Sequence, residues 1–347
     1  MRTLNSSKRF LITAVLLALT TVSRPLTASA QEKASLTSAA TVRTEPGAPG
    51  GARKVAASAA LPTYSPSDPN MAITTAPRVS LIEKADTAAA QALSMAIDTM
   101  APWSKDLRGT ANAPAGRAPE QTVFNRDDRV RVSNTTAYPY SAICDLEMTF
   151  PNGGVRIGTG FFISYRSVLT AGHCVYDRSL GGWARSIKVM PGRNGTTLPY
   201  GYAWASNISS VTGWTVSQNR AYDYGSITLA NTTLGNRTGY FGYTVESDSF
   251  LRNQRNVFNT AGFPGDKSGS GFRPMYFTSG QISSTTSQLL YYYFDIMGGQ
   301  SGSPIWTYRN GNRYVCGIVT AEYRDGSGPN IGTRVNNDVY NFIRSQP

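Results

Sequence analysis

The chain has a single histidine, His173, among 347 residues, together with three cysteines and only 16% charged residues. Each shortage excludes something. One imidazole and three scattered thiols, Cys144, Cys174 and Cys316, fall short of a tetrahedral metal site, so no metal is expected. No Lys/Arg run occurs, and the net charge of +12 is spread along the chain. That distribution describes a basic soluble surface and excludes nucleic acid as the expected partner. Long apolar runs are also missing. Phe10 to Val22 is too short to span a bilayer comfortably; Arg2, Lys8 and Arg9 precede it and Ala28-Ser29-Ala30 follows. A charged start, an apolar core and a small-x-small end make residues 1–30 a secretory signal. The expected product is extracellular, monomeric, and free of the membrane once the signal is removed.

What is present falls into two textures. Residues 31–122 are rich in Ala, Ser, Thr and Pro and hold no cysteine. Residues 31–80 read as flexible. Within 81–100, Leu93, Ala96, Ile97 and Met100 stand at helical spacing, and Asn112 to Pro119 is linker-like. A pro-segment that assists folding or masks a site is expected over 31–122. From Val123 the pattern becomes short alternating runs between Gly, Asn, Asp and Pro. Ile143–Phe150, Gly160–Ile163, Ser167–Thr170, Ser186–Met190, Gly225–Leu229, Leu289–Phe294, Pro304–Trp306 and Tyr314–Thr320 are the clearest. Strands at such spacing predict an all-β barrel or sandwich. Val335, Val339, Phe342 and Ile343 return to helical spacing and predict a C-terminal helix over Arg334 to Ser345.

Chemistry concentrates in two stretches. Asp295-Ile296-Met297-Gly298-Gly299-Gln300-Ser301-Gly302-Ser303-Pro304 sets a serine among glycines, which let amide N–H groups approach a substrate carbonyl. Leu169-Thr170-Ala171-Gly172-His173-Cys174 delivers the one histidine at the end of an apolar run. Ser301 needs a base to act as a nucleophile, and His173 titrates near neutrality. A carboxylate must hold the imidazole in one tautomer. Asp223, opening an apolar strand, is the first candidate, and Asp177, four residues from His173, the second. The amides of Gly299 and Ser301 are the candidate oxyanion donors. Acyl transfer of this kind needs no organic cofactor. Ser303 stands where a lipase-type elbow requires its last glycine, which argues against an α/β-hydrolase.

At four blocks the sequence resembles the chymotrypsin-like serine proteases, and within them the V8-like glutamyl endopeptidase branch. Asp127-Asp128-Arg129 with Val132 to Tyr140 is similar to the start of the mature enzyme in that branch. Gly158 to Ile163 leading into Val168 to Tyr176 resembles the histidine block, Tyr222 to Leu229 the aspartate block, and Gly298 to Pro304 the nucleophile block. The resemblance covers residues 123–347. It implies two six-stranded antiparallel β-barrels, about 123–235 and 236–347, with the site in the cleft between them. It also implies protein or peptide substrates, and the chain's own pro-segment as a partner until processing near Thr122–Val123.

Several positions depart from the family pattern. Gln300 stands where animal trypsin-like enzymes have the aspartate that receives the freed amine. Val319 stands where the glutamyl branch has a substrate-reading histidine. Asp295 occupies the position of the trypsin-like specificity aspartate, which favours cleavage after Arg or Lys over Glu. Thr320 and Ala321 are expected to pair with an extended substrate. Asn330 and Ile331 are expected to line the back of the same pocket. The family's usual cysteine near Gly160 is missing, so Cys144–Cys174 is the expected disulfide, with Cys144–Cys316 as the alternative. The chain therefore reads as a secreted serine endopeptidase. A catalytically inactive protease-like binding protein and an esterase of the same fold are the competing readings.

Overall fold

Alternating apolar and polar residues between turn-forming Gly, Asn and Asp become short antiparallel strands. The computed structural model describes residues 68–77, 123–124, 126–321 and 328–347. All lie in one unit, Arg43–Pro347. The signal at 1–30, the helix at 81–100 and the linker at 112–119 lie outside the described residues.

Two short strands, β1 (Ile73–Thr75) and β2 (Val130–Arg131), precede the first barrel. Its hairpins are β3 (Ile143–Thr149), β4 (Val155–Phe162) and β5 (Ser167–Thr170), followed by one helical turn, α1 (Gly172–Val175). A small ribbon of β6 (Tyr176–Asp177) and β7 (Gly182–Trp183) leads to β8 (Ser186–Pro191) and β9 (Ala203–Val211). Another turn, α2 (Thr212–Thr215), and β10 (Gly225–Leu229) complete it. The order is β9-β10-β5-β4-β3-β8, and β8 pairs back onto β9 at Lys188↔Trp204 and Val189↔Ala203. That return closes a six-stranded barrel, which leaves few exposed edges.

The second half holds β11 (Gly242–Tyr243), β12 (Phe258–Gly262), β13 (Tyr276–Gly280), β14 (Ile282–Thr285) and β15 (Leu289–Tyr292). It continues through β16 (Pro304–Arg309), β17 (Asn312–Ala321) and β18 (Asn330–Arg334). Its order is β14-β15-β18-β17-β16-β12-β13-β2, with β11 parallel to β17. Only Gln281 separates β13 from β14 in sequence, yet the two do not pair, so this sheet is a half-barrel. The C-terminal helix α3 (Asn337–Ser345) starts at Asn336, whose side chain accepts from Val339 N. Val335, Val339, Phe342 and Ile343 are all buried, as their spacing predicts.

Two segments cross between the halves. β2 precedes the first barrel but pairs with β13 of the second, through Val130↔Phe277 and Arg131↔Tyr276. α3 follows the second half but packs on the first, with the rings of Phe342 and Tyr224 5.1 Å apart. The expected flexible stretch over 31–80 needs correction at one place. Residues 68–77 are ordered, with Met71 in the core and β1 paired to β9. So short a strand draws its order from its partner and not from its own propensity.

β3 shows what joins the halves. Its even positions, Cys144, Leu146 and Met148, point into the first core. Its odd positions, Asp145 and Glu147, point outward yet are buried. Asp145 meets Arg193 at 3.0 Å and Arg273 at 3.3 Å, and Glu147 meets Arg273 at 2.7 Å. Arg273 belongs to the second half, so these charges form a buried seam. Removing one member leaves the others desolvated and unpaired. Arg273→Met is therefore expected to lower the unfolding free energy by about 3–5 kcal/mol, read as a lower urea midpoint; an unchanged midpoint would contradict the seam's role.

Candidate active site

Strand pairing delivers the histidine to its carboxylate. β5 ends at Thr170, and α1 carries His173 at its second position. β10 runs beside β5, with Gly225 opposite Thr170, which sets Asp223 against the start of α1. The first N–H groups of a helix have no internal acceptor. Asp223 supplies one: Oδ1 accepts from His173 N at 2.9 Å, and Oδ2 lies 2.9 Å from Nδ1 of the ring. Gly172 makes the approach possible, because a Cβ there would stand 2.8 Å from Trp214 and 3.0 Å from Asp223 Oδ1. Asp223 is buried, while 31% of the His173 side chain stays exposed. Desolvation disfavours the imidazolium, but the charge of Asp223, with the Cys174 sulfur and the hydrogen bond to Asp223, outweighs it. The result is a His173 pKa well above its ordinary 6.5. Asp177 is employed elsewhere: its Oδ1 accepts from Ser179 N and Ser179 Oγ and caps the next turn.

The nucleophile loop is two consecutive turns. Gln300 N donates to Met297 O, and Ser303 N donates to Gln300 O, both at 2.9 Å. Gly299 (φ 98°) and Gly302 (φ 88°) take the third position of each turn, where a type II turn needs positive φ. Space also demands glycine at both. A Cβ on Gly302 would lie 2.0 Å from Thr159 O, and one on Gly299 would lie 2.5 Å from Phe263 O. Gly298 O accepts from Gly265 N at 2.7 Å. In a trans peptide the N–H opposes the C=O, so the Gly299 N–H points away from that bond. Thr159 of β4 then fixes the loop against the first barrel. Its N–H donates to Ser301 O at 2.8 Å, and its hydroxyl donates to Gly299 O at 2.8 Å. Cys174, the residue after His173, has its Sγ 3.8 Å from the same Ser301 carbonyl. Among the described residues no hydrogen bond runs from Ser301 Oγ to the His173 ring, whose bonded nitrogen is Nδ1.

The other expected positions divide. Val319 lies next to the nucleophile loop: its carbonyl accepts from Gly302 N, and its N–H donates to Ser303 O. Thr320 and Ala321 follow on β17, where pairing with β18 skips Thr320. Asn330 is buried and donates to Phe294 O at 3.1 Å. Asp295 holds main-chain groups. It is 2% exposed; Oδ1 accepts from Phe124 N at 2.8 Å and Oδ2 from Asp128 N at 2.7 Å. Its carboxylate thus accepts from main-chain N–H groups of the segment after Val123. The expected Cys144–Cys174 disulfide is not formed, and Cys144, Cys174 and Cys316 are buried thiols. β3 sets Cys144 opposite Gly160 with its sulfur toward Ala142 O, while α1 aims the Cys174 sulfur over Gly158 toward Ser301 O. Burial, reinforced by the charge of Asp145, raises the Cys144 pKa.

Sequence reading missed Thr159 and a brace near the start of the domain. Arg129 is bidentate to Asp127 and reaches Asp266 at 2.9 Å, and Asp266 adjoins the Gly265 that holds Gly298. The threonine had a weak signal, its place within Gly158-Thr159-Gly160. Of the brace, Asp127 and Arg129 lie in a stretch that was visible, but Asp266 gave no signal, because it is distant from both in sequence.

Comparison with known proteins agrees with this geometry. The family model described as trypsin matches residues 131–343. An extracellular metalloprotease of Bacillus subtilis (strain 168) is 40% identical over 225 residues, covering 64% of this chain and 69% of that protein. A glutamyl endopeptidase of Bacillus licheniformis is 37% identical over 228 residues, covering 64% and 68% respectively. Among solved structures, a Glu endopeptidase in complex with MPD aligns with a TM-score of 0.56 at 28% identity, covering 65% of this chain and 100% of that one. Two antiparallel β-domains, a family match over most of the described residues and relatives of this kind carry one conclusion: the chain belongs to the trypsin family, as a chymotrypsin-like serine endopeptidase of the V8-like branch.

Proposed function

We propose that the chain is exported, cut ahead of Val123, and hydrolyses peptide bonds through Ser301, His173 and Asp223. The observation that carries this reading is the two-point attachment of His173 to Asp223, beside a serine whose carbonyl is fixed by Thr159. A carboxylate only accepts, so Nδ1 donates and Nε2 is left as the basic nitrogen. Nε2 takes the Ser301 proton as Oγ bonds to the substrate carbonyl carbon. The oxygen of that carbonyl becomes an anion, held by the N–H groups of Gly299 and Ser301; each such donor contributes about 3–4 kcal/mol to the transition state. The imidazolium returns the proton to the leaving amine, and the C–N bond breaks. Water then attacks the acyl-enzyme with His173 as base again, which releases the acid and restores Ser301. An extended substrate adds a strand at Thr320–Ala321, where the register between β17 and β18 shifts and skips Thr320.

The residue before the scissile bond is proposed to be glutamate. Asp295 already accepts from Phe124 N and Asp128 N, which weakens the ground for a basic side chain. A cut before Val123 leaves an ammonium one residue from the amide that Asp295 holds. This cation takes the place of the histidine that Val319 replaces. The matched relatives named as glutamyl endopeptidases lend support.

The test is a cleavage-site profile of the processed protein on a mixed peptide library. Cuts after Glu, loss of roughly 10⁶-fold activity in Ser301→Ala, and fluorophosphonate labelling of Ser301 are expected. Cuts after Arg or Lys overturn the specificity; serine-independent cutting, or none, overturns the triad.

The raised His173 pKa sets the pH profile. A general base must be neutral, so kcat/KM should rise with pH through a limb above 6.5, the ordinary value. The same shift favours folding through the His173–Asp223 pair below the unfolded pKa, and that contribution is lost as pH rises through the folded pKa. Asp223→Asn removes the charge: the limb should move down and kcat should drop by about 10⁴-fold.

Thr159→Val keeps shape but strips the donor from Gly299 O and the acceptor from Phe263 N. A fall in kcat of about 10–100-fold with KM unchanged is expected, while equal changes in both would mean that the loop is not held by this hydroxyl.

A further inference from the structure

The first barrel is finished by a piece of chain that lies ahead of the processing site. β8 covers β9 only at Ala203 and Trp204. β1 takes the stretch β8 leaves bare, with Ile73↔Val211, Thr74↔Ser210 and Thr75↔Ser209. The main chain continues the ladder on both sides, with Thr212 N donating to Ala72 O at 2.9 Å and Ala76 N to Ile208 O at 3.1 Å. Side chains add anchors. Met71 is 1% exposed and meets the hydroxyl of Tyr224 at 3.3 Å. Asp68 accepts from the hydroxyl of Tyr222 at 2.9 Å. The Thr74 and Thr215 hydroxyls are 3.3 Å apart, and Thr212 Oγ1 donates to Pro69 O. Tyr222 and Tyr224 flank Asp223, so the segment grips the acid of the site from both sides.

We propose that residues 68–77 stay on the enzyme after the cut ahead of Val123, as a non-covalently held strand that completes the barrel and steadies the Asp223 loop. The proposal rests on the processing assumed above. Hydrolysis near Thr122–Val123 breaks one peptide bond and none of these contacts. Loss of the segment would uncover the main chain at Ser209–Val211, a sheet edge, and the apolar slot of Met71. Strand addition with one deep apolar anchor is how peptides are held on sheet edges.

The test uses the full chain carrying Ser301→Ala, with residues 111–117 replaced by the recognition sequence of a site-specific protease. After cutting, gel filtration and native mass spectrometry read whether the N-terminal fragment remains bound. Retention is expected in this chain, and release in the same chain with Met71→Asp. A fragment that leaves the first, or stays on the second, overturns the proposal. Where Met71→Asp does not fold, Met71→Ala should release the fragment at least tenfold faster, and an unchanged rate overturns it. With Ser301 restored, Met71→Ala should lower kcat with KM unchanged and move the acidic limb of kcat/KM toward 6.5. A limb and kcat equal to the parent's overturn the positioning role. Because the binding experiment uses an inactive chain and an added protease, its failure is distinct from failure of the catalytic reading.

Discussion

The site exists only if two separately built halves meet in register, and Thr159 is where they are tied. His173 and Asp223 belong to the first barrel and Ser301 to the second. Thr159 is fully buried in β4, and its N–H and hydroxyl both bond across this junction. Its N–H holds Ser301 O, its hydroxyl holds Gly299 O and accepts from Phe263 N, and its carbonyl accepts from Thr170 Oγ1. One residue thus fixes the serine, the turn before it, and the strand that ends beside His173. The close approach of Gly302 to the Thr159 carbonyl, and of Gly299 to the Phe263 carbonyl, explains why the loop needs glycine at these two positions around Ser301.

Apolar contact alone would not hold such a register, because it has no direction. The seam of Asp145, Glu147, Arg193 and Arg273 supplies direction at a cost in desolvation. Arg193 also donates to Gly195 O at 2.8 Å, so the charges that orient the halves also fasten the loop after β8. β2 and α3, each packed on the half that it does not adjoin in sequence, add crossings of the same kind. Sliding one half over the other therefore breaks pairing, burial and charge contacts together. That shared dependence keeps Ser301 beside His173.

How much of this could be read in advance follows the same division. His173 was legible because there is no other imidazole, and Ser301 because glycines crowd it. Asp223 was legible from its place before an apolar strand. β3, β5, β10, β16 and β17 announced themselves by apolar runs. β9 did not, since Ala203-Trp204-Ala205-Ser206-Asn207-Ile208-Ser209-Ser210-Val211 mixes polar and apolar residues on a wall covered on both faces for part of its length. β1 was invisible because three residues show no period and its order comes from β9. The disulfide failed for a different reason. The β3–β4 hairpin brings Cys144 toward the region of Cys174, but the direction of each sulfur is set by β3 and by the turn of α1. Thr159 and Asp295 were illegible in role because their partners come from distant segments.

Asp295 and Gln300 together bear on what the proposed cut ahead of Val123 would change. In a site assembled by a freed amine, cutting creates the ion pair that orders the loop. Here Gln300 is buried inside the loop, and its Oε1 accepts from Met297 N at 3.0 Å, which closes the first turn from within. The carboxylate that receives the segment after Val123 is Asp295, and it receives main-chain N–H groups of Phe124 and Asp128. Those groups exist whether or not the chain is cut. The ring of Phe124 against Tyr293, at 5.1 Å, is equally indifferent to cutting. In the uncut chain the His173–Asp223 pair and both turns around Ser301 are already formed. The proposed cut would therefore have no loop left to assemble, and what it would change is confined to the new amine and to whatever the chain ahead of it covers.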